Sequence, residues 1–199
     1  MRPEIEDHIN EFSDRIKQNR AHDHSDYLRN ELLRDWSPDE AALIRSELVN
    51  ELQRHERYEE AERLLLEEIE RQQHEPYPWI SLAEHFHYYD IRLQRSIECI
   101  AIAIEKARED GKFLYQALGV QARLAIEISN WSLLEETLNQ LAAYKHKAGD
   151  VDVFPETDFL KRIPHGAVSS EIISAYESRV AYLRSIRYST LSGRQDGNS

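Results

Sequence analysis

Three observations predict an all-α chain. Apolar residues recur at three- and four-residue spacing almost continuously from about residue 3 to 146, and no stretch alternates apolar and polar residues as a half-buried strand would. Only 6 Gly and 6 Pro interrupt 199 residues, and most of them fall in a few places, so long helices between sparse breaks are expected.

Taken in order, residues 1–36 are expected to supply one or two helices that cap the N-terminal end, with "RAHDHSD" at 20–26 as the break. The clearest start signal follows. In "SPDE", Ser37 is placed to cap a helix, Pro38 to occupy its first position and Glu40 to close a capping box, which predicts a helix over about 38–54. "HERYEEAERLLLEEIERQQHE" predicts the next, with Leu64, Leu65 and Ile69 inward and the pairs Glu59/Arg63 and Glu67/Arg71 on a solvated face. Beyond residue 146 the periodicity stops. "KAGDVDVFPETDFLKRIPHGAVSS" at 147–170 is broken by Gly149, Pro155, Pro164 and Gly166 and brackets a short helical piece from Thr157 to about Ile163. Phe154, Phe159 and Leu160 are too apolar to be left in water, so the segment is expected to pack against the last repeat or across one end of a groove. A final helix after Ser169 carries Ile172, Tyr176, Val180, Leu183 and Ile186 as a covering stripe, and residues 193–199 are expected to be a disordered tail.

The middle of the chain repeats. Leu48, Val49 and Leu52 recur 34 residues later as Leu82, Ala83 and Phe86, and Ala61 is followed 35 residues on by Ser96, with Ile100 and Ala103 continuing that helix. Trp79, Leu82, Ala83 and Phe86 resemble the tetratricopeptide pattern W-x2-L-G-x2-Y, with Ala in place of Gly and Phe in place of Tyr, and one inserted residue is needed in the turn that follows. An earlier unit starting near residue 42 and a degenerate later one, in which Asn130 and Trp131 take the turn and Leu134, Leu138 and Leu141 the second helix, extend the resemblance over about 42–146. The fold this implies is an α-solenoid of antiparallel helix pairs with extra capping helices at both ends, a single domain over 1–192. Small residues such as Ala61, Ala83 and Ala103 would let the paired backbones approach, while Trp79, Phe86 and Leu65 fill the space between units.

Composition narrows the function classes. With 25 basic and 37 acidic residues the formal charge is −12, which disfavours nucleic acid as a partner, because phosphate binding needs clustered Lys and Arg. No run of apolar residues is long enough to span a bilayer, and "MRPEIEDHINEF" carries acids where a secretory signal would be basic then apolar, so no membrane partner and a cytoplasmic location are expected. Cys99, the one cysteine, lies among Ile97, Ile100 and Ile102 and is expected to be a buried, inert thiol.

Candidate chemistry is sparse. His85 and His87 are two apart, so on one helix they point about 200° from each other and cannot share an ion. His87 with Asp90 gives an incomplete pair, and "HDHSD" at 22–26 uses the letters of a turn before a helix. No metal, no cofactor and no catalytic residue is therefore expected, and His85 is read as an exposed polar side chain.

The resemblance implies instead a concave groove lined by the first helix of each unit: Asn50, Gln53 and Arg54, then Tyr77, Ile80, Glu84, His87 and Tyr88, then Gln116, Arg123 and Glu127. Mixed charge and aromatic groups suit a protein or peptide segment. The carboxylate clamp that some tetratricopeptide proteins use is not reproduced, since the matching positions read Ser46, Asn50, Ser81, Gln116 and Val120 and one of the five agrees. The expected function is a non-catalytic protein- or peptide-binding adaptor. The alternative is an inhibitor or immunity-type protein that neutralises a toxin or enzyme, and a metal-dependent enzyme using His22, His24, His85 or His87 comes third.

Overall fold

The structure, a computed structural model, describes residues 22–89, 92–145 and 157–192, with the side chains of Asp39 and residues 186–192 set aside. The expectations for residues 1–21, Asp90, Phe154, the Ile186 side chain and the 193–199 tail lie outside the described residues. Every regular element among the described residues is helical: α1 (Ser25–Glu31), α2 (Pro38–Arg54), α3 (Tyr58–Arg71), α4 (Tyr77–Tyr88), α5 (Leu93–Asp110), α6 (Leu114–Glu127), α7 (Trp131–Ala143), a 3-10 turn (Asp158–Arg162) and α8 (Ser170–Ser192). The chain divides into two compact units, Met1–Glu68 and Ile69–Ser199.

In the unit Met1–Glu68, α1 packs against α2. The start of α2 is the capping box read from the sequence. Glu40 N–H donates to Ser37 Oγ at 3.4 Å, Ser37 N–H donates to Glu40 Oε2 at 2.9 Å, and Pro38 needs no donor at the first position. Among the described residues of this unit Leu28, Leu48, Val49, Leu52, Ala61 and Leu65 are buried, each large one contributing roughly 1.5–3 kcal/mol on removal from water. Arg45 on α2 meets Glu68 on α3 at 2.5 Å, and Arg29 on α1 meets Glu60 on α3 at 2.7 Å, so ion pairs border this core.

Helix ends repeat one device. At the end of α2, Arg57 N–H donates to Leu52 O at 2.8 Å and Glu56 N–H to Gln53 O at 3.1 Å; at the end of α6, Asn130 N–H donates to Ala125 O at 2.8 Å and Ser129 N–H to Ile126 O at 3.0 Å. Both are Schellman closures, and Glu56 and Ser129 take the left-handed position at φ 59° and 55° that glycine would occupy without strain. After α4 the matching bond runs from Arg92 N–H to Phe86 O at 3.0 Å, across six residues rather than five. That bond spans one residue more than its counterparts after α2 and α6.

In the unit Ile69–Ser199 each helix from α4 to α8 packs on the next, and α4 also touches α6. Ser96 on α5 is fully buried and donates its hydroxyl to Ala83 O on α4 at 2.6 Å, so two small residues set the approach of these helices. Phe86, Ala103, Leu118, Leu134, Leu138 and Leu141 are almost wholly enclosed, as the periodicity predicts, and Cys99 is buried among them.

Two readings of α4 need correction. His85, expected in solvent, has no exposed surface, and its ring lies edge-on to Phe86 at 5.6 Å. Trp79, expected in the core, is only half-buried. With α5 and α6 both against it, α4 buries Ile80 and His85 in addition to the Leu82, Ala83 and Phe86 stripe, so a single-face count misassigns the flanks.

Of the segment expected to pack on the last repeat or across a groove end, residues 157–169 are described; Leu160 is half-buried, and the ring contact of Phe159 is with the final helix α8. Phe159 is buried with its ring 5.9 Å from Tyr176 of α8, and Val168 is buried close by in sequence. Tyr176 and Val180 are the deep members of the α8 stripe, whereas Ile172 and Leu183 are half-buried. The loop is tied down by Ser169 N–H donating to Glu135 Oε1 at 2.8 Å. No helix among the described residues is long and apolar enough to cross a membrane.

Candidate functional site

Eight of the eleven residues expected to line the groove belong to the unit Ile69–Ser199, and α4 and α6, which touch, carry all of them, Ile80 on α4 and Gln116 on α6 included. Tyr77, Glu84, His87 and Tyr88 come from α4, and Arg123 and Glu127 from α6. Helical spacing explains the grouping, because Glu84, His87 and Tyr88 are three and four apart and so share one side of α4, as Arg123 and Glu127 do on α6.

The structure connects them directly. Arg123 Nη2 donates to Glu84 Oε1 at 3.0 Å, and the Arg123 guanidinium carbon lies 5.9 Å from the centre of the Tyr88 ring. His87 Nε2 is 3.6 Å from Glu127 Oε1, and the His87 ring lies against Tyr88 at 4.4 Å. The arrangement alternates acid, base and aromatic group along two adjacent helices.

Arg162, which the sequence reading missed, completes it. From the 3-10 turn its Nη1 donates to Glu127 Oε1 at 2.7 Å, 35 residues away in the chain. No spacing rule within a helix could reveal a pair so distant in sequence. The segment that carries Arg162 is anchored by the burial of Phe159, so a hydrophobic contact positions this charge at the edge of the α4/α6 face.

Exposure divides the face into fixed and available groups. Only 6% of the His87 side chain is exposed, against 50% of Tyr88 and 42% of Tyr77. Burial holds His87 below its ordinary pKa of 6.5, outweighing the pull of Glu127, and the charges of Arg123 and Arg162 act in the same sense as burial. The hydrogen bond from Arg162, with its charge, holds Glu127 below the ordinary carboxylate value, and the same pairing raises Arg162. Near neutral pH the site thus holds an uncharged imidazole beside ionised Glu127 and Arg162.

The remaining expected residues fall elsewhere. Ile80 is in the core. Asn50 and Arg54 are on α2 in the unit Met1–Glu68, where Asn50 is exposed and Arg54 pairs with the buried Glu51; Gln53 beside them is buried. Tyr77 lies against Phe113 at 5.3 Å, an aromatic pair at the start of α4. No protein-family model matches the chain, and neither a curated protein nor a solved structure is found similar to it.

Proposed function

We propose that the chain is a non-catalytic adaptor built from tetratricopeptide-like helix pairs, and that it binds a protein or peptide segment on the α4/α6 face. The observation that carries this reading is the side-by-side presentation of Tyr88, Arg123 and Glu84 on two neighbouring helices, with the aromatic ring half-exposed and the charges already oriented. Preoriented side chains lose little freedom when a partner arrives, and Tyr and Arg are the residue types that anchor interfaces most often. The repeat architecture is supported by the same Schellman closure at the ends of α2 and α6 and by its six-residue counterpart after α4.

A peptide crossing this face would stack an apolar or cationic group on Tyr88 and exchange hydrogen bonds with the Glu84/Arg123 pair. The net charge of −12 would speed encounter with a basic partner, which an inhibitor of a basic toxin or enzyme would also exploit. The test is an affinity comparison on a partner recovered with the whole chain. Tyr88→Ala and Arg123→Ala should each weaken binding by about 1–2 kcal/mol, the scale of interface anchors, with little change in Tm. Unchanged affinity in both would remove the face from consideration.

A further inference from the structure

In the unit Met1–Glu68 a second group of side chains converges that the proposed adaptor role does not use. Asp23 precedes α1, and Glu51 and His55 stand four apart at the end of α2. One ligand atom from each of the three lies within 4.8 Å of the others. The Glu51 side chain has no exposed surface, yet His55 Nε2 comes to 3.3 Å of Glu51 Oε1 and has no hydrogen-bond partner. An imidazole nitrogen and a carboxylate oxygen at that separation, without hydrogen-bond geometry, match two ligands of one tetrahedral ion, whose bonds of about 2.0–2.1 Å subtend roughly 3.3–3.4 Å.

We propose that Asp23, Glu51 and His55 form a binding site for a first-row divalent cation of the zinc type. The surrounding contacts orient the ligands as outer partners do in built sites. Ser25 N–H donates to Asp23 Oδ1 at 2.8 Å and Arg57 Nη1 to Asp23 Oδ2 at 2.8 Å, while His24 N–H donates to Glu51 Oε1 at 2.8 Å and Arg54 Nη1 to Glu51 Oε2. Each carboxylate oxygen has a second lone pair, so these bonds and a metal bond coexist. Asp23 is the most exposed of the three, so water reaching the ion from that side would fill a fourth position. The imidazole selects against calcium and magnesium, which take oxygen ligands. The two arginines lower the attraction for a cation, and an ion-pair cluster that binds no metal is the competing description.

The spacing is invisible in the sequence because the segment "HDHSD" and the end of α2 are some 30 residues apart, and the fold brings them together through Arg57, which meets both Asp23 and Ser25.

The test uses the full chain, stripped with a chelator and titrated with Zn2+ by calorimetry and with Co2+ by visible absorption. One ion per chain is expected, with the intense visible bands of four-coordinate Co2+, and excess Ca2+ or Mg2+ should not displace it. His55→Gln should lower Zn2+ affinity by about a hundredfold or more, at or above the upper end of the effect of losing an outer partner. Asp23→Asn, with metal-free Tm measured beside it because Asp23 also accepts from Ser25 and Arg57, should lower it at least tenfold, and His74→Gln on the exposed end of α3's loop should leave it unchanged. No saturable Zn2+ binding at micromolar concentration, or binding that survives both His55→Gln and Asp23→Asn, overturns the site and leaves an ion-pair cluster only.

Discussion

The hydroxyl of Ser96 on α5 donates a buried 2.6 Å hydrogen bond to the carbonyl of Ala83 on α4. Both residues have no exposed surface, so the closest approach of the two helices is set by two small side chains and one polar bond. Ser96→Ala should cost about 1 kcal/mol, the usual net loss for one hydrogen bond, because the volume hardly changes. Ser96→Val should cost about 1–3 kcal/mol by overpacking. Chemical denaturation of the two variants checks the ranking; equal midpoints would mean that the helices are not in close contact at this point.

Glu56 and Ser129 hold the left-handed position of their Schellman turns at φ 59° and 55°, which a side chain occupies at a cost of roughly 1 kcal/mol. Both are exposed, so neither side chain contributes packing. Glu56→Gly and Ser129→Gly are each expected to raise stability by about 0.5–1 kcal/mol. Thermal melts measure this, and a loss of stability in both would refute the turn assignment.

Acid should loosen the α4/α6 face. His87 and Glu127 both sit below their ordinary pKa values, so the unfolded chain takes up protons first as the pH falls. Stability from His87 is present in full above about pH 6.5 and is lost as the pH drops through its lowered value; Glu127 adds a second loss below about 4.5. One proton limits the His87 slope to about 1.4 kcal/mol per pH unit. Melts from about pH 7.5 downward should show a slope, beginning near the ordinary His value of 6.5, that His87→Gln removes. A slope unaltered by that substitution would show that His87 does not titrate this way.

His85→Ala should be costly. The ring fills a fully enclosed space beside Phe86, so truncation leaves a cavity, and a loss of about 2–4 kcal/mol is expected, comparable with about 3–5 for Phe86→Ala. Urea midpoints decide between this and the sequence-based expectation of an exposed side chain with negligible effect.

Those residues also show how far the sequence could be read. The start of α2 was legible to the residue, because Ser37, Pro38 and Glu40 act through contacts within four positions. The 34-residue spacing of Leu52 and Phe86 was legible as well, and the bonds accepted by their carbonyls, from Arg57 and Arg92, differ in span by one residue. His85 was not, since its burial depends on a second neighbouring helix rather than on the α4 pattern itself. Within the candidate face, Glu84 and Arg123 were named by their positions in the repeat, but their bond to each other, and the bond from Arg162 to Glu127, arise from the packing of distant segments.

The most direct measurement on the binding face is the dissociation constant of a recovered partner for the double variant Tyr88→Ala/Arg123→Ala, set beside Phe159→Ala and beside the melting temperature of each. The α4/α6 face predicts a loss of about 2–4 kcal/mol in affinity for the double variant at nearly unchanged Tm, and a lowered Tm for Phe159→Ala because its ring is buried against Tyr176. Full affinity in the double variant, with affinity lost but Tm preserved in Phe159→Ala, would contradict it and move the partner to the segment around the 3-10 turn.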